Sequence, residues 1–196
     1  IDEFSSIDAS LNGLQVEGAG RVNKISLAVD GCRASISKAA RNRSDMLIVH
    51  HGLFWGDQQP VTGIMKKRLE LLIRNGISLY AAHLPLDAHP EHGHNAIIAD
   101  RIGLQTVTPF FEIGGLEIGC RGQLREHAHP AELKEILDRT LDTDTQLFGW
   151  DSSPVRTVAV VSGSGADAVE QCRREGIDAL IRGEVGQADA HPIREW

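Results

Sequence analysis

Asp45-Met-Leu-Ile-Val-His50-His51-Gly52 runs four apolar residues straight into two histidines and a glycine. A short continuous apolar run bounded in this way reads as a buried strand that delivers its chemistry to its carboxyl end. On the amino side, Ile25-Ser-Leu-Ala-Val29 reads as another strand, and Ala34 to Arg43 as the helix between the two. On the carboxyl side, Met65, Leu69, Leu72 and Ile73 recur at i, i+4, i+7 and i+8, one face of a helix that stops at Asn75-Gly76. Ile77 to Ala82 supplies a third strand. Strands alternating with helices predict an α/β protein with a largely parallel sheet.

Further along, Asn95 to Ile102 reads as a helix ended by Gly103. Thr106 to Gln123 is richer in glycine and β-formers and predicts short strands or a hairpin. Ala131 to Thr140 is a helix with Leu133, Ile136 and Leu137 on its apolar face. The chain also repeats itself faintly. Displaced by 133 positions, Ile25, Leu27 and Ala28 fall on Val158, Val160 and Val161. Ile36 falls on Val169, Ala39 on Cys172, and Asp45, Leu47 and Ile48 on Asp178, Leu180 and Ile181. Either the same strand–helix–strand unit occurs twice or the match reflects only the likeness of all βαβ units; in either case His50-His51 falls on Gly183-Glu184. The chain is expected to comprise a first α/β lobe over 1–105, a β-rich connecting segment over 106–130 and a second α/β lobe over 131–196.

The 196 residues are 41% hydrophobic and 24% charged, an ordinary globular composition with ample core material. A net charge of −7 disfavours broad electrostatic binding to nucleic acid and leaves only a local basic patch around Lys66, Lys67 and Arg68. Cys32, Cys120 and Cys172 are far apart and form no C-x-x-C pair, which disfavours a disulfide framework and a thiolate zinc site. The longest apolar runs are too short to span a bilayer, and no leader opens the chain. A cytoplasmic protein without membrane contact is expected. The sequence opens on Ile1 and stops at Trp196 in mid-pattern, as a trimmed chain would.

Two clusters carry the chemistry. Adjacent strand residues point to opposite faces, so His50 and His51 serve one pocket only if the strand ends there, a bend that Gly52 permits. Alternatively, two diverging imidazoles serve two neighbouring metals, or one of the pair is a core residue bonded to a backbone carbonyl. The second cluster, His83-Leu-Pro-Leu-Asp87-Ala-His89, again follows a strand and delivers a histidine and a carboxylate to its end. His89 and His92 read as solvated members of an exposed loop, with His94 undecided between loop and site. Imidazole plus carboxylate suits zinc, manganese, iron, cobalt or nickel. Ser162-Gly-Ser-Gly165 follows a strand and precedes a helix, a place where backbone amides can cradle phosphate; it is not a Walker motif, and a simple βα turn is the better reading. No G-x-S-x-G elbow occurs, so triad hydrolysis has no support.

Asn12-Gly-Leu-Gln-Val-Glu-Gly18, Leu47-Ile-Val-His-His-Gly-Leu-Phe-Trp55, His83-Leu-Pro-Leu-Asp-Ala-His-Pro90 with Asn95, and Gly183-Glu184 together resemble the NIF-three-like family, whose bacterial members are also called GTP cyclohydrolase type-two homologues. The resemblance covers nearly the whole chain. It implies two related α/β lobes, a toroidal homohexamer and two divalent metal ions per subunit facing an internal cavity. By position, His50 and His51 match the family's paired histidine ligands, one on each metal, and Asp87 matches its aspartate ligand. His83 and Glu184 then stand behind the ligands or line the cavity. The family completes its site with a histidine and a glutamate in a G-H-x-x-T-E type segment near its C-terminus, which this sequence does not contain; His191 is not assigned that role. The implied activity is metal-dependent hydrolysis, with a purine nucleotide as the substrate that the cyclohydrolase name suggests. The alternative is a non-catalytic metal-binding ring acting as a scaffold or regulator.

Overall fold

The pairing of the strands reproduces the sequence repeat residue for residue. In the first copy, strand β2 (Ile25–Asp30) lies parallel to strand β3 (Met46–His51), with Ile25 opposite Met46 and Leu27 opposite Ile48. In the second copy, strand β7 (Val155–Val161) lies parallel to strand β8 (Ala179–Arg182), with Val158 opposite Ala179 and Val160 opposite Ile181. The register is the same after displacement by 133 positions. An aspartate fixes it in both copies. Asp45 Oδ2 accepts the backbone N–H groups of Asn23 and Lys24, each at 2.8 Å. Asp178 Oδ2 accepts those of Arg156 and Thr157 at 2.9 and 2.7 Å.

The computed structural model describes residues 1–149 and 153–195, and the chain divides into two units, Ile1–Leu86 and Asp87–Trp196. The first unit holds a four-stranded sheet in the order β1-β4-β3-β2. β1 (Gly13–Val16) runs antiparallel to β4 (Ser78–Ala81), and β4 runs parallel to β3. Strand alternation puts Leu47, Val49, Leu79 and Ala81 on one face. There they are buried with Ile36 and Ala39 from helix α1 (Arg33–Arg41) and Leu72 from helix α2 (Gly63–Arg74). On edge strand β2 the alternate residues Ile25, Leu27 and Val29 stay exposed, Leu27 to 77%. Helix α2 ends at Asn75, with Gly76 at φ +62°, as Asn75-Gly76 predicts. Ile73 departs from its expected place on the apolar face and is 65% exposed. At 100° per residue it sits well round the helix from Leu72, which is fully buried.

The second unit holds a sheet in the order β5-β6-β7-β8. β5 (Gln105–Ile113) and β6 (Leu116–Ala128) form the hairpin expected from the glycine-rich stretch. Its tip is Gly114-Gly115, both at positive φ, the backbone a two-residue hairpin turn requires. Segment 106–130 thus contributes nearly all of both strands to the second sheet. The expectation of a largely parallel arrangement fails here: β5–β6 and β6–β7 are antiparallel and only β7–β8 is parallel. A hairpin needs no crossover helix, so glycine at the turn converts this half of the sheet. Helices cover both faces. Val158 and Val160 pack with Ala99 of helix α4 (His94–Arg101) and with Leu133 and Leu137 of helix α5 (Pro130–Leu141). Ala159 and Val161, pointing the other way, pack with Ala168 and Cys172 of helix α6 (Ala168–Glu175). A strand buried on both faces reads as an unbroken apolar run, as Val158-Ala-Val-Val161 does. Among the described residues the remaining α-helices are α3 (Leu84–Asp87) and α7 (Ala190–Glu195). Among the described residues no helix is long and apolar enough to cross a membrane.

Candidate metal centre

In the first unit the site is assembled where two strands of the sheet end. β3 keeps its ladder with β4 only as far as Val49 opposite Ala81, whereas on its other side it pairs with β2 through Asp30 opposite His51. Register partners on parallel strands project to the same side, so His51 Nδ1 meets Asp30 Oδ1 at 2.8 Å. His50 Nδ1 donates to the carbonyl of Ala82, just past β4, at 2.9 Å. His83 Nδ1 meets Asp8 Oδ1 at 2.8 Å. The termination of the strand, the condition the alternation of side chains imposed, is met. The ring centroids of His50 and His51 are 4.6 Å apart, those of His50 and His83 4.9 Å, and those of His51 and His83 5.6 Å. One donor atom from each of these three histidines lies within 4.8 Å of the other two.

The three rings are held alike. A carbonyl or carboxylate oxygen only accepts, so each Nδ1 carries the proton and the neutral ring's lone pair sits on Nε2. Asp8 is the deepest of these anchors, its side chain 1% exposed. Its Oδ1 also accepts Ser10 N at 2.9 Å, and its Oδ2 accepts Asn12 Nδ2 at 2.7 Å and Leu84 N at 3.1 Å. Burial pushes this carboxyl up, but the hydrogen bonds from Asn12, His83 and Ser10 together outweigh burial and hold it below its ordinary value. Asn12 closes the clamp by accepting His83 N on Oδ1 at 2.7 Å. Gln15 does the same for the other motif, its Oε1 accepting Leu53 N at 2.7 Å. Trp55 stands edge-on to His83, with centroids 4.9 Å apart, and its Nε1 donates to Gly52 O at 2.9 Å. His51 is the most open of the three histidines, with 43% of its side chain exposed.

In the second unit, Asp87 ends α3 and is buried. Its Oδ1 accepts two hydrogen bonds at 2.8 Å, from Nδ1 of His94 and from Oγ of Ser162. His94 opens α4, and its hydrogen bond to Asp87 raises it above the ordinary imidazole value against the opposing effect of burial. The next residue, Asn95, is 2% exposed and binds three elements at once. Its Nδ2 donates to Asp87 O at 3.1 Å and Ile118 O at 2.7 Å, and its Oδ1 accepts Ser162 N at 2.7 Å.

Of the expected site residues, His50, His51 and His83 stand together in the first unit, and Asp87 is buried in the second with His94 beside it. Glu184 is exposed just past β8, its backbone N–H donating to Gly163 O at 3.2 Å, and it belongs to no metal-capable group among the described residues. His89 and His92 are exposed, as their loop composition predicts. Asp8, Asp30 and the contact of Ser162 with Asp87 escaped the sequence reading. Asp30 was findable, since it ends a strand on the same edge as His51. Asp8 lies outside any strand or helix, and no periodicity marks it.

This donor set fits a divalent cation. Metal-binding histidines characteristically give their second ring N–H to a carboxylate or a backbone carbonyl, and His50, His51, His83 and His94 all do so. Imidazole mixed with carboxylate selects the borderline first-row cations over magnesium or calcium.

An α/β chain of two related lobes with a cluster of histidines at strand ends defines a class, and comparison with known proteins gives the family. The model of the Duf34/NIF3 (NGG1p interacting factor 3) family matches residues 3–196. A protein of Pyrococcus abyssi called GTP cyclohydrolase 1 type 2 homolog is 41% identical over 194 residues, 96% of this chain and 77% of that protein. One of the same name from Archaeoglobus fulgidus is 40% identical over all of this chain and 79% of its own length. Among solved structures, the protein TTHA1606 from Thermus thermophilus superposes with a TM-score of 0.86 at 39% identity, covering 100% of this chain and 76% of that one. The protein ybgI, described as of unknown function, does so at 0.88 and 37%, covering 98% and 77%. The chain belongs to the Duf34/NIF3 family.

Proposed function

We propose that this protein is a metal-dependent hydrolase whose two divalent cations are held by His50, His51 and Asp87, with a purine nucleotide or a related compound as substrate. The observation that carries this reading is the set of three imidazoles at the strand ends, each with Nδ1 fixed by an oxygen acceptor and its lone pair on Nε2. Cations in such a cluster supply Lewis acidity and activate water at neutral pH. The chain's own residues orient the donors: Asp30 holds the His51 ring, the Ala82 carbonyl holds His50, and Asp8 holds His83 against Trp55. Asp87 follows His83 by four residues along the chain and brings the charge that a pair of cations needs. Zinc, iron, manganese, cobalt and nickel all suit these donors. The nucleotide rests on the name of the relatives, and a fold alone does not decide a reaction. We extend the reading to a toroidal homohexamer working in the cytoplasm, with the site facing the ring's interior.

A panel of nucleotides and phosphoesters offered to the zinc- or manganese-loaded protein tests the reading. Turnover that a chelator abolishes, and that Asp87→Ala removes while sedimentation still reports six subunits, is the expected result. Full metal loading with no turnover across the panel would overturn the enzyme and leave a metal-binding ring that acts as a scaffold.

A further inference from the structure

We propose that Ser162 is a positioning residue for the Asp87 carboxylate, and that Asn95 holds Ser162 in place for that task. The inference rests on the reading of Asp87 as a cation ligand and adds to it the group that aims the ligand.

Three observations lead there. Ser162 Oγ donates to Asp87 Oδ1 at 2.8 Å, the same oxygen that His94 Nδ1 reaches at 2.8 Å. Two donors from separate elements, one at the end of β7 and one at the start of α4, fix the plane of the carboxylate as well as its place. The second observation is a closed circuit. Ser162 N donates to Asn95 Oδ1 at 2.7 Å, and Asn95 Nδ2 donates to the carbonyl of Asp87 at 3.1 Å. Asp87 is therefore gripped at its main chain and its side chain by the same pair of residues. With Asn95 2% exposed, that pair does not shift without breaking buried hydrogen bonds.

The internal repeat supplies the third. Displaced by 133 positions, Ser162 corresponds to Val29, an exposed apolar residue at the end of β2. The strand–helix–strand unit folds in both copies with the same register, so it does not require a hydroxyl at this point. The hydroxyl belongs to the copy that meets a buried carboxylate. The Ser162-Gly-Ser-Gly165 turn thus gains a role through its first side chain rather than through a phosphate cradled on its amides.

Hydrogen-bond partners behind a metal ligand typically contribute about 10–100-fold to metal affinity. Zinc titration by calorimetry, on the protein with Ser162→Ala, Ser162→Thr and Ser162→Val, reads this directly. Thr and Val share a shape and differ in the hydroxyl, so the pair separates hydrogen bonding from packing if Ser162→Ala folds poorly. The expected result is a loss of about 10–100-fold in zinc affinity for Ala and Val, with Thr restored to within a few-fold of the parent. Metal-free crystals of the Ala or Val variant should show the Asp87 carboxylate rotated from its parent orientation. Thr and Val variants of equal affinity, or an Asp87 carboxylate that keeps its orientation without the hydroxyl, would overturn the proposal. If the parent protein binds no zinc, the reading of the metal centre fails instead. The metal-free crystals then decide the proposal alone, a rotated carboxylate upholding it and an unmoved one overturning it.

Discussion

Asp8 shows how much of this site is carried by residues that no motif announces. One buried carboxylate accepts four hydrogen bonds, from Ser10 N, Asn12 Nδ2, Leu84 N and His83 Nδ1. It thereby joins the chain's opening segment to the turn after β4. Asp8→Ala would leave these donors without their acceptor in a site where water reaches poorly. Unpaired buried donors each cost about 1–3 kcal/mol, and part of that is recovered by relaxation. We expect a destabilisation on the order of 3 kcal/mol, measured by denaturant unfolding, and weaker zinc binding as the His83 ring loses its orientation. A variant as stable as the parent would show that Asp8 is no anchor. The histidines at 50, 51 and 83 were legible as candidates because each follows an apolar run at a strand end, and Asp87 because it follows His83 by four residues. Asp8 and Ser162 were not, because their roles come from partners 75 residues away in each case. A sequence read by local pattern does not reveal such pairings.

At the scale of elements, the paired aspartates Asp45 and Asp178 are the clearest record of the repeat. Each lies just before the second strand of its copy and accepts two backbone N–H groups, ahead of β2 in the first copy and within β7 in the second. Hydrogen bonds from Asn23 and Lys24 lower Asp45. Burial raises Asp178, but the bonds from Thr157 and Arg156 outweigh it and lower that carboxyl too. A carboxyl that titrates lower in the folded chain than in the unfolded one adds stability above its unfolded value, near 3.8, and loses it as pH falls through its folded value. Thermal unfolding followed from pH 6 downward should therefore show the midpoint dropping below about pH 4. Asp178→Asn should flatten part of that drop, and a drop of unchanged size would contradict the assignment. The strands and helices themselves were readable because their apolar residues recur at clear periods. The direction of the strands in the second sheet was not. A run such as Val158 to Val161, buried on both faces, is consistent with parallel or antiparallel neighbours, and β7 has one of each, antiparallel β6 and parallel β8.

For the whole molecule, the two copies of one strand–helix–strand unit have been put to different uses. The first carries His50 and His51 where the second carries Gly183 and Glu184. The second carries Ser162, the support of Asp87, where the first carries Val29. The residues that carry the chemistry are accordingly spread over both copies instead of being concentrated in one segment. The claim on which the rest depends is that these residues hold metal. Elemental analysis of the protein together with an anomalous-scattering map of its crystals tests it most directly. Two peaks roughly 3.5–4 Å apart, close to His50, His51 and Asp87, are the expected result. Metal-replete crystals with no peak beside those side chains would contradict it.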